Sequence, residues 1–224
     1  DAMVVITHFK GHMLAGFGGA IKNLAMGCSP AKGKMEQHST RPQVVKKTCT
    51  GCGECSENCP TDAIAIISKK AKINYSLCIG CGECLTVCPN RSMIMDWSTD
   101  KIEFVERMTE YALGAVKNKE NKIIYISFLM NITPDCDCAS WSDLPIVPDI
   151  GILASADPVA LDKACLDLVN SEKGLVNSKL PDSHEEISDK FTAVHPDTRG
   201  ILQIEYGEKI GLGNAAYDLI VLGG

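Results

Sequence analysis

The sequence predicts a layered α/β domain interrupted by an inserted α+β module, and three observations carry that prediction. Outside the middle of the chain, apolar strand-like runs alternate with amphipathic helical segments. Between residues 49 and 89 one cysteine pattern, C-x2-C-x2-C-x3-C-P, occurs twice. Beyond Trp97 the texture returns to helical periodicity. The expected division is a discontinuous α/β domain over 1–45 and 97–224, with the insert at 46–96. Segment 1–42 carries one strand and one helix, too little to stand alone, and must pack on 99–224.

Residues 2–7 (AMVVIT) read as a short buried strand. A glycine-dense turn, Gly11 to Gly19, leads into a helix over 20–26 with Gly27 as its C-cap. Residues 29–43 are polar and loop-like. In the insert, AIAII at 63–67 and SMIM at 92–95 read as strands after each cysteine run, and KINY at 72–75 pairs before the second. Two short hairpins and two short helices, related by a pseudo-twofold, are what this block can build. Ile102, Val105, Met108 and Leu113 recur at helical spacing behind a Thr99 cap. Residues 122–129 (KIIYISFL) are a second buried strand, and 146–153 a third, made irregular by Pro148. Ser155 caps a helix starting near Pro158, another helix falls near 200–210, and YDLIVL at 217–222 reads as a terminal strand.

The repeated cysteine spacing is that of a bacterial-type ferredoxin holding two 4Fe–4S clusters. Three closely spaced thiolates wrap one corner of a cubane, and the fourth, before proline, serves the other cluster. The expected sets are therefore Cys49, Cys52, Cys55 and Cys88, and Cys78, Cys81, Cys84 and Cys59. Zinc knuckles and disulfides are the alternatives; zinc sites use two pairs of ligands rather than two runs of four.

Upstream, HFKGHMLAGFGGAIKNLAMG gathers His8, Lys10, His12 and Lys22 among glycines. Gly16, Gly18 and Gly19 let backbone donors approach an anionic ligand at a helix N-terminus, with Lys22 one turn inside. The plainer reading is a tightly packed turn with surface lysines. Asp135-Cys136-Asp137-Cys138 offers two thiols for a metal, a sulfur-bearing group or a redox relay; the plainer reading is a loop with two reduced thiols. Cys165 reads as a small core residue, His184 and His195 as solvent-facing, and Asp149 and Asp157 as caps or turns.

Twelve cysteines, eight of them in cluster runs, point to a reducing cytoplasm. A net charge of -6 with no long basic block excludes nucleic acid, and no apolar run is long enough to insert in a membrane. The first residue, Asp1, implies a processed chain or a piece of a longer protein.

Taken together, HFKGHMLAGFGGAIKNLAMG, the paired cysteine runs, ITPDCDC at 132–138, PIVPDIGILASADPVALDKA at 145–164 and GLGNAAYDLIV resemble the iron–sulfur family known as domain of unknown function 362. A more distant likeness is to the cofactor region of the lactate racemase family, in which a lysine bears a nickel-pincer nucleotide. There a histidine lies ten residues before the lysine and another sixteen after, as His12 and His38 do around Lys22. The likeness implies His12 as an acid/base group, Lys22 as a cofactor anchor and His38 as a metal ligand. It supports a shared pocket better than it supports nickel, because the loop before the last histidine differs and racemases carry no ferredoxin insert.

The expected function is electron transfer between two 4Fe–4S clusters and a pocket framed by Lys10, His12, Lys22 and His38, in a redox enzyme or accessory subunit. An electron-carrier subunit without catalysis, and a maturation or scaffold factor for a metal or cofactor, are the alternatives. The expected partner is a redox protein or complex. A small-molecule ligand, a further metal or nucleotide-type cofactor and a homo-oligomer stay open.

Overall fold

The computed structural model describes residues 2–96, 100–119, 121–181 and 187–222. In chain order the elements begin β1 (Met3–His8), β2 (Lys10–His12), β3 (Gly16–Gly18), α1 (Ala20–Gly27), α2 (Ala31–His38) and β4 (Arg41–Val44). Next come α3 (Glu54–Glu57), β5 (Ile64–Ile67), β6 (Lys70–Ile73), α4 (Glu83–Thr86) and β7 (Met93–Asp96). The chain continues with α5 (Lys101–Val116), β8 (Ile123–Leu129), β9 (Gly151–Ser155), α6 (Pro158–Ser171), α7 (Lys190–Val194) and α8 (Leu202–Lys209). The fold is mixed α/β. Contacts divide it into two units, Asp1–Ser29 with Lys101–Gly224, and Pro30–Asp100.

In the first unit β-branched residues build a three-stranded sheet of order β1-β8-β9. β1 runs parallel to β8, and β9 runs antiparallel on its other side. Val5, Ile123, Tyr125 and Leu129 point into the core with Ile21, Leu24, Phe104, Met108, Val159 and Cys165 from α1, α5 and α6. Strand alternation sends Val4, Ile6, Ile124 and Ile152 to the opposite, exposed face. Phe9, Phe17 and Phe191 pack mutually, with ring centroids 5.1 to 6.0 Å apart. Asp157 caps α6, its Oδ1 accepting from Val159 N at 2.8 Å and Ala160 N at 3.0 Å. Ser155 is not the cap; its hydroxyl instead accepts from Asp157 N.

In the second unit every position of the first cysteine copy returns 29 residues later, as 49 to 78 and 59 to 88. The structure obeys that offset. β4 corresponds to β6, α3 to α4 and β5 to β7. β4 pairs with β7 and β5 with β6, both antiparallel, so each pair takes one strand from each copy. The matched bonds Val45 N to Ser92 O and Asn74 N to Ala63 O, 2.8 and 2.7 Å, complete the pseudo-twofold.

Several expectations need correction. Residues 29–43 are not loop but hold α2 and β4, so β7 pairs with a strand from that segment and only β5–β6 is a consecutive hairpin. Gly27 is inside α1, which ends on Cys28 without a left-handed glycine. The strand expected at 146–153 starts later, at Gly151, while Ile146 and Val147 are buried without joining the sheet. YDLIVL forms no strand; Leu219 to Leu222 are exposed. Thr99 and His184 lie outside the described residues.

Candidate metal and thiol sites

Glycine conformation shapes the cysteine runs. Gly51, Gly53, Gly80 and Gly82 all take positive φ, 73°, 99°, 69° and 82°. That left-handed geometry costs a glycine little and turns successive sulfurs inward. Two cavities result. One is lined by Cys49, Cys52, Cys55 and Cys88, the other by Cys59, Cys78, Cys81 and Cys84. Each thus takes three cysteines from one copy and one from the other. Backbone amides serve the sulfurs: Ala63 N donates to Cys59 Sγ and Ser92 N to Cys88 Sγ, both at 3.2 Å, and Ala71 N to Cys49 Sγ at 3.4 Å. Burial and then the neighbouring Cys78 and Cys81 push the Cys84 thiol up to about 11, and burial with Cys52, Cys88 and Cys49 raises Cys55. At Cys59 and Cys88 burial is outweighed by amide donors and the thiols fall below their ordinary value. Ser92 Oγ, on the wall of the first cavity, is buried, and its hydroxyl adds to the amides that lower Cys88. Four convergent thiols, buried beside one another and with an N–H donor at one or two of their sulfurs, fit a positively charged iron–sulfur core.

A different sulfur site lies in the α/β unit. His12, at the end of β2, Cys136 and Cys138 bring donor atoms within 4.8 Å of one another and could hold a metal ion. Lys22, from α1, donates from Nζ to Cys136 Sγ at 3.3 Å. The intervening aspartates are tied elsewhere. Asp137 Oδ2 meets His8 Nδ1 and Lys10 Nζ, each at 2.9 Å. Asp135 Oδ2 meets Lys179 Nζ at 3.1 Å, and its Oδ1 meets His195 Nε2 at 3.2 Å. His195 is therefore largely buried rather than solvent-facing. The Cys138 side chain, with Lys22 and an amide behind it, holds the Cys136 thiol near 5 against burial, while Cys138 itself is raised by its bond to Cys136. The pair is one thiolate and one thiol sharing a proton.

His12 Nδ1 accepts from Leu14 N at 3.2 Å and Ala15 N at 3.1 Å. Neutral His12 must then carry its proton on Nε2, which stands 3.8 Å from Cys138 Sγ. A metal-ligating histidine normally donates through its other ring nitrogen. The His12 tautomer therefore suits a proton donor to sulfur better than a metal ligand.

The glycine turn is filled by the protein. A Cβ on Gly11 would meet Pro134 O at 1.9 Å, one on Gly16 would meet Gly200 Cα at 2.6 Å, and one on Gly19 would meet Asp162 Oδ1 at 2.3 Å. At Gly18 a Cβ would meet only Lys22 Cδ, at 3.7 Å. The anion at the α1 N-terminus is the chain's own: Asp162 Oδ1 and Oδ2 accept from Ala20 N and Ile21 N at 2.7 and 2.9 Å. Burial pushes the Asp162 carboxyl up to about 7 although those amides pull it down. Gln203 pins the turn from α8, donating to Ala15 O and Phe17 O. Sequence reasoning missed Asp162, whose signal was a carboxylate on the apolar stripe of α6 with Cys165 and Val169.

The structure thus brings together Lys22, His12, Cys136 and Cys138, with Lys10 behind them through Asp137. His38 belongs to the other unit, on α2, where its Nδ1 donates to Lys34 O at 2.7 Å.

An α/β unit with a thiol pair under a lysine, joined in one chain to a twofold-repeated cysteine module, defines a class of cysteine-rich protein with metal-binding potential. The chain belongs to the family described as Domain of unknown function (DUF362), whose model matches residues 1–167. That span contains both cysteine runs, Lys22 and the 135–138 loop. No curated protein matches the chain.

Proposed function

We propose that this is an iron–sulfur electron-transfer protein, passing electrons between two 4Fe–4S clusters and the Lys22–His12–cysteine site of its α/β unit. The observation that carries the reading is the sorting of eight cysteines into two four-thiol cavities, with amide donors at two sulfurs of the first and one of the second. Cys49, Cys52, Cys55 and Cys88 would hold one cluster, and Cys78, Cys81, Cys84 and Cys59 the other. When bound, such groups supply one-electron chemistry. Around them the chain's own residues position sulfur and supply hydrogen bonds. In the α/β unit, Lys22 holds the Cys136 thiolate and His12 offers a proton to Cys138. The reading implies a redox partner protein and a reducing, cytoplasmic setting. Anaerobic purification with iron and sulfide analysis tests it. The expected content is about eight of each per chain; zinc in their place, or neither, rejects it.

A second reading, metal handling, is favoured by the approach of His12, Cys136 and Cys138. Its mark is a labile metal that is lost in Cys136→Ser while iron and sulfide stay unchanged.

A further inference from the structure

The two four-cysteine sites are built by one repeat, so their differences can be read position by position. Ala71 N donates to Cys49 Sγ at 3.4 Å. The position 29 residues earlier, beside Cys78, is Pro42, which has no N–H. Ala71 lines the first cavity and Pro42 the second. Proline is tolerated in β4 because the donor missing there corresponds to one aimed at sulfur in β6, outside the strand ladder.

Two further exchanges run the same way. Ser92, whose buried hydroxyl acts on Cys88, lines the first cavity, whereas its counterpart Ala63 lines the second. Lys70 Nζ donates to Cys49 O at 2.5 Å. Its counterpart Arg41 is drawn off over the Tyr75 ring, 5.5 Å from the centroid. Two features run the other way. The Thr61 hydroxyl stands 3.8 Å from Cys59 Sγ, a long contact, and Cys49 is more buried than Cys78. The hydroxyl contact is weaker than the amide bond it would offset, and the extra burial falls on the sulfur that receives that bond.

Hydrogen bonds and positive charge at cluster sulfurs favour the reduced, more negative form and so raise the reduction potential. We infer that the two centres are inequivalent, the one held by Cys49, Cys52, Cys55 and Cys88 having the higher potential, and that Pro42 against Ala71 sets this order. The inference rests on the cluster reading above. An electron shared between the two centres then resides mainly on the first, which gives the module a direction.

The test is an anaerobic redox titration of the full chain with dithionite, followed by electron paramagnetic resonance, on preparations whose iron and sulfide have been counted. Wild type should show two separated midpoints. Pro42→Ala, which restores an N–H beside Cys78, should raise the lower midpoint alone and close at least a third of the gap. Ser92→Ala and Ala71→Pro should lower the higher midpoint alone. Two full clusters with coincident midpoints, or a Pro42→Ala chain whose lower midpoint stays in place, would overturn the inference and leave the electron-transfer reading standing. A chain that binds no iron takes both down. Ala71→Pro carries a risk of misfolding; Pro42→Ala removes a proline from an edge position and does not.

Discussion

The cysteine module and the 135–138 loop both keep sulfur of partly anionic character inside protein, and they use different means. In the module the donors to sulfur are backbone amides, from Ala63, Ala71 and Ser92, fixed by the fold itself. In the loop they are chiefly side chains, the Cys138 thiol, the Lys22 ammonium and the His12 ring. Amides carry no net charge, so burial and then the neighbouring thiols still raise Cys55 and Cys84. In the loop the neighbouring Cys138 thiol first, and the Lys22 charge after it, bring one thiol down to about 5 against burial. Backbone donors suit a site that awaits a cation; a thiol partner backed by a lysine suits a single thiolate.

The sharpest way to break this comparison is Cys88→Ser. If the crossed sets are right, it removes about half the iron, about four atoms per chain, from the centre of the first run. Electron paramagnetic resonance should retain the signal of the other centre, and loss of that signal instead would show uncrossed sets.

Asp162 extends the comparison to oxygen, since two backbone amides serve it. Asp162→Ala orphans two buried donors and should cost about 2–4 kcal/mol in chemical denaturation, with Asp162→Asn costing less. The pH dependence has a definite sign. A carboxyl raised to about 7 binds a proton in the folded chain that the unfolded chain releases near its ordinary value. Its contribution is complete below about pH 4 and is lost as pH rises through about 7.

The smallest change is expected from Lys22→Met. Without the ammonium the Cys136 thiol should rise by roughly one unit, about a fivefold loss of thiolate at pH 5. Thiolate absorbance near 240 nm, taken as the difference from Cys136→Ser, reads it, and iron content should not change.

How much of this was legible follows from where the donors come from. The cysteine runs announce themselves by residue type, and β1, β8, α1 and α6 by apolar pattern. Amide donors leave no mark in a sequence, so the service of Cys49 by Ala71 was invisible until β6 was placed. β4 was hidden because Arg41-Pro42-Gln43 reads as loop, and only its pairing with β7 makes it a strand. α2 was hidden because its sole large apolar residue is Met35. YDLIVL misled in the opposite sense: its pattern is strand-like, yet no neighbouring strand pairs with it among the described residues. His195 looked exposed by its polar neighbours, but Asp135 and Pro134 O draw it in. The Lys22–Cys136 approach spans more than a hundred positions of chain and no local motif encodes it.

The crossing of the two cysteine copies also governs when the module can come into being. Residues 49 to 59 supply three sulfurs to one cavity and one to the other, so the first copy alone closes neither. During synthesis the second cavity lacks a wall until Cys84 has emerged, and the first until Cys88. The strand pair β4–β7 then joins residue 41 to residue 96, the two ends of the block. A nascent chain halted between the copies therefore presents loose thiols and no finished site, and the two centres are completed within a few residues of each other as the block ends.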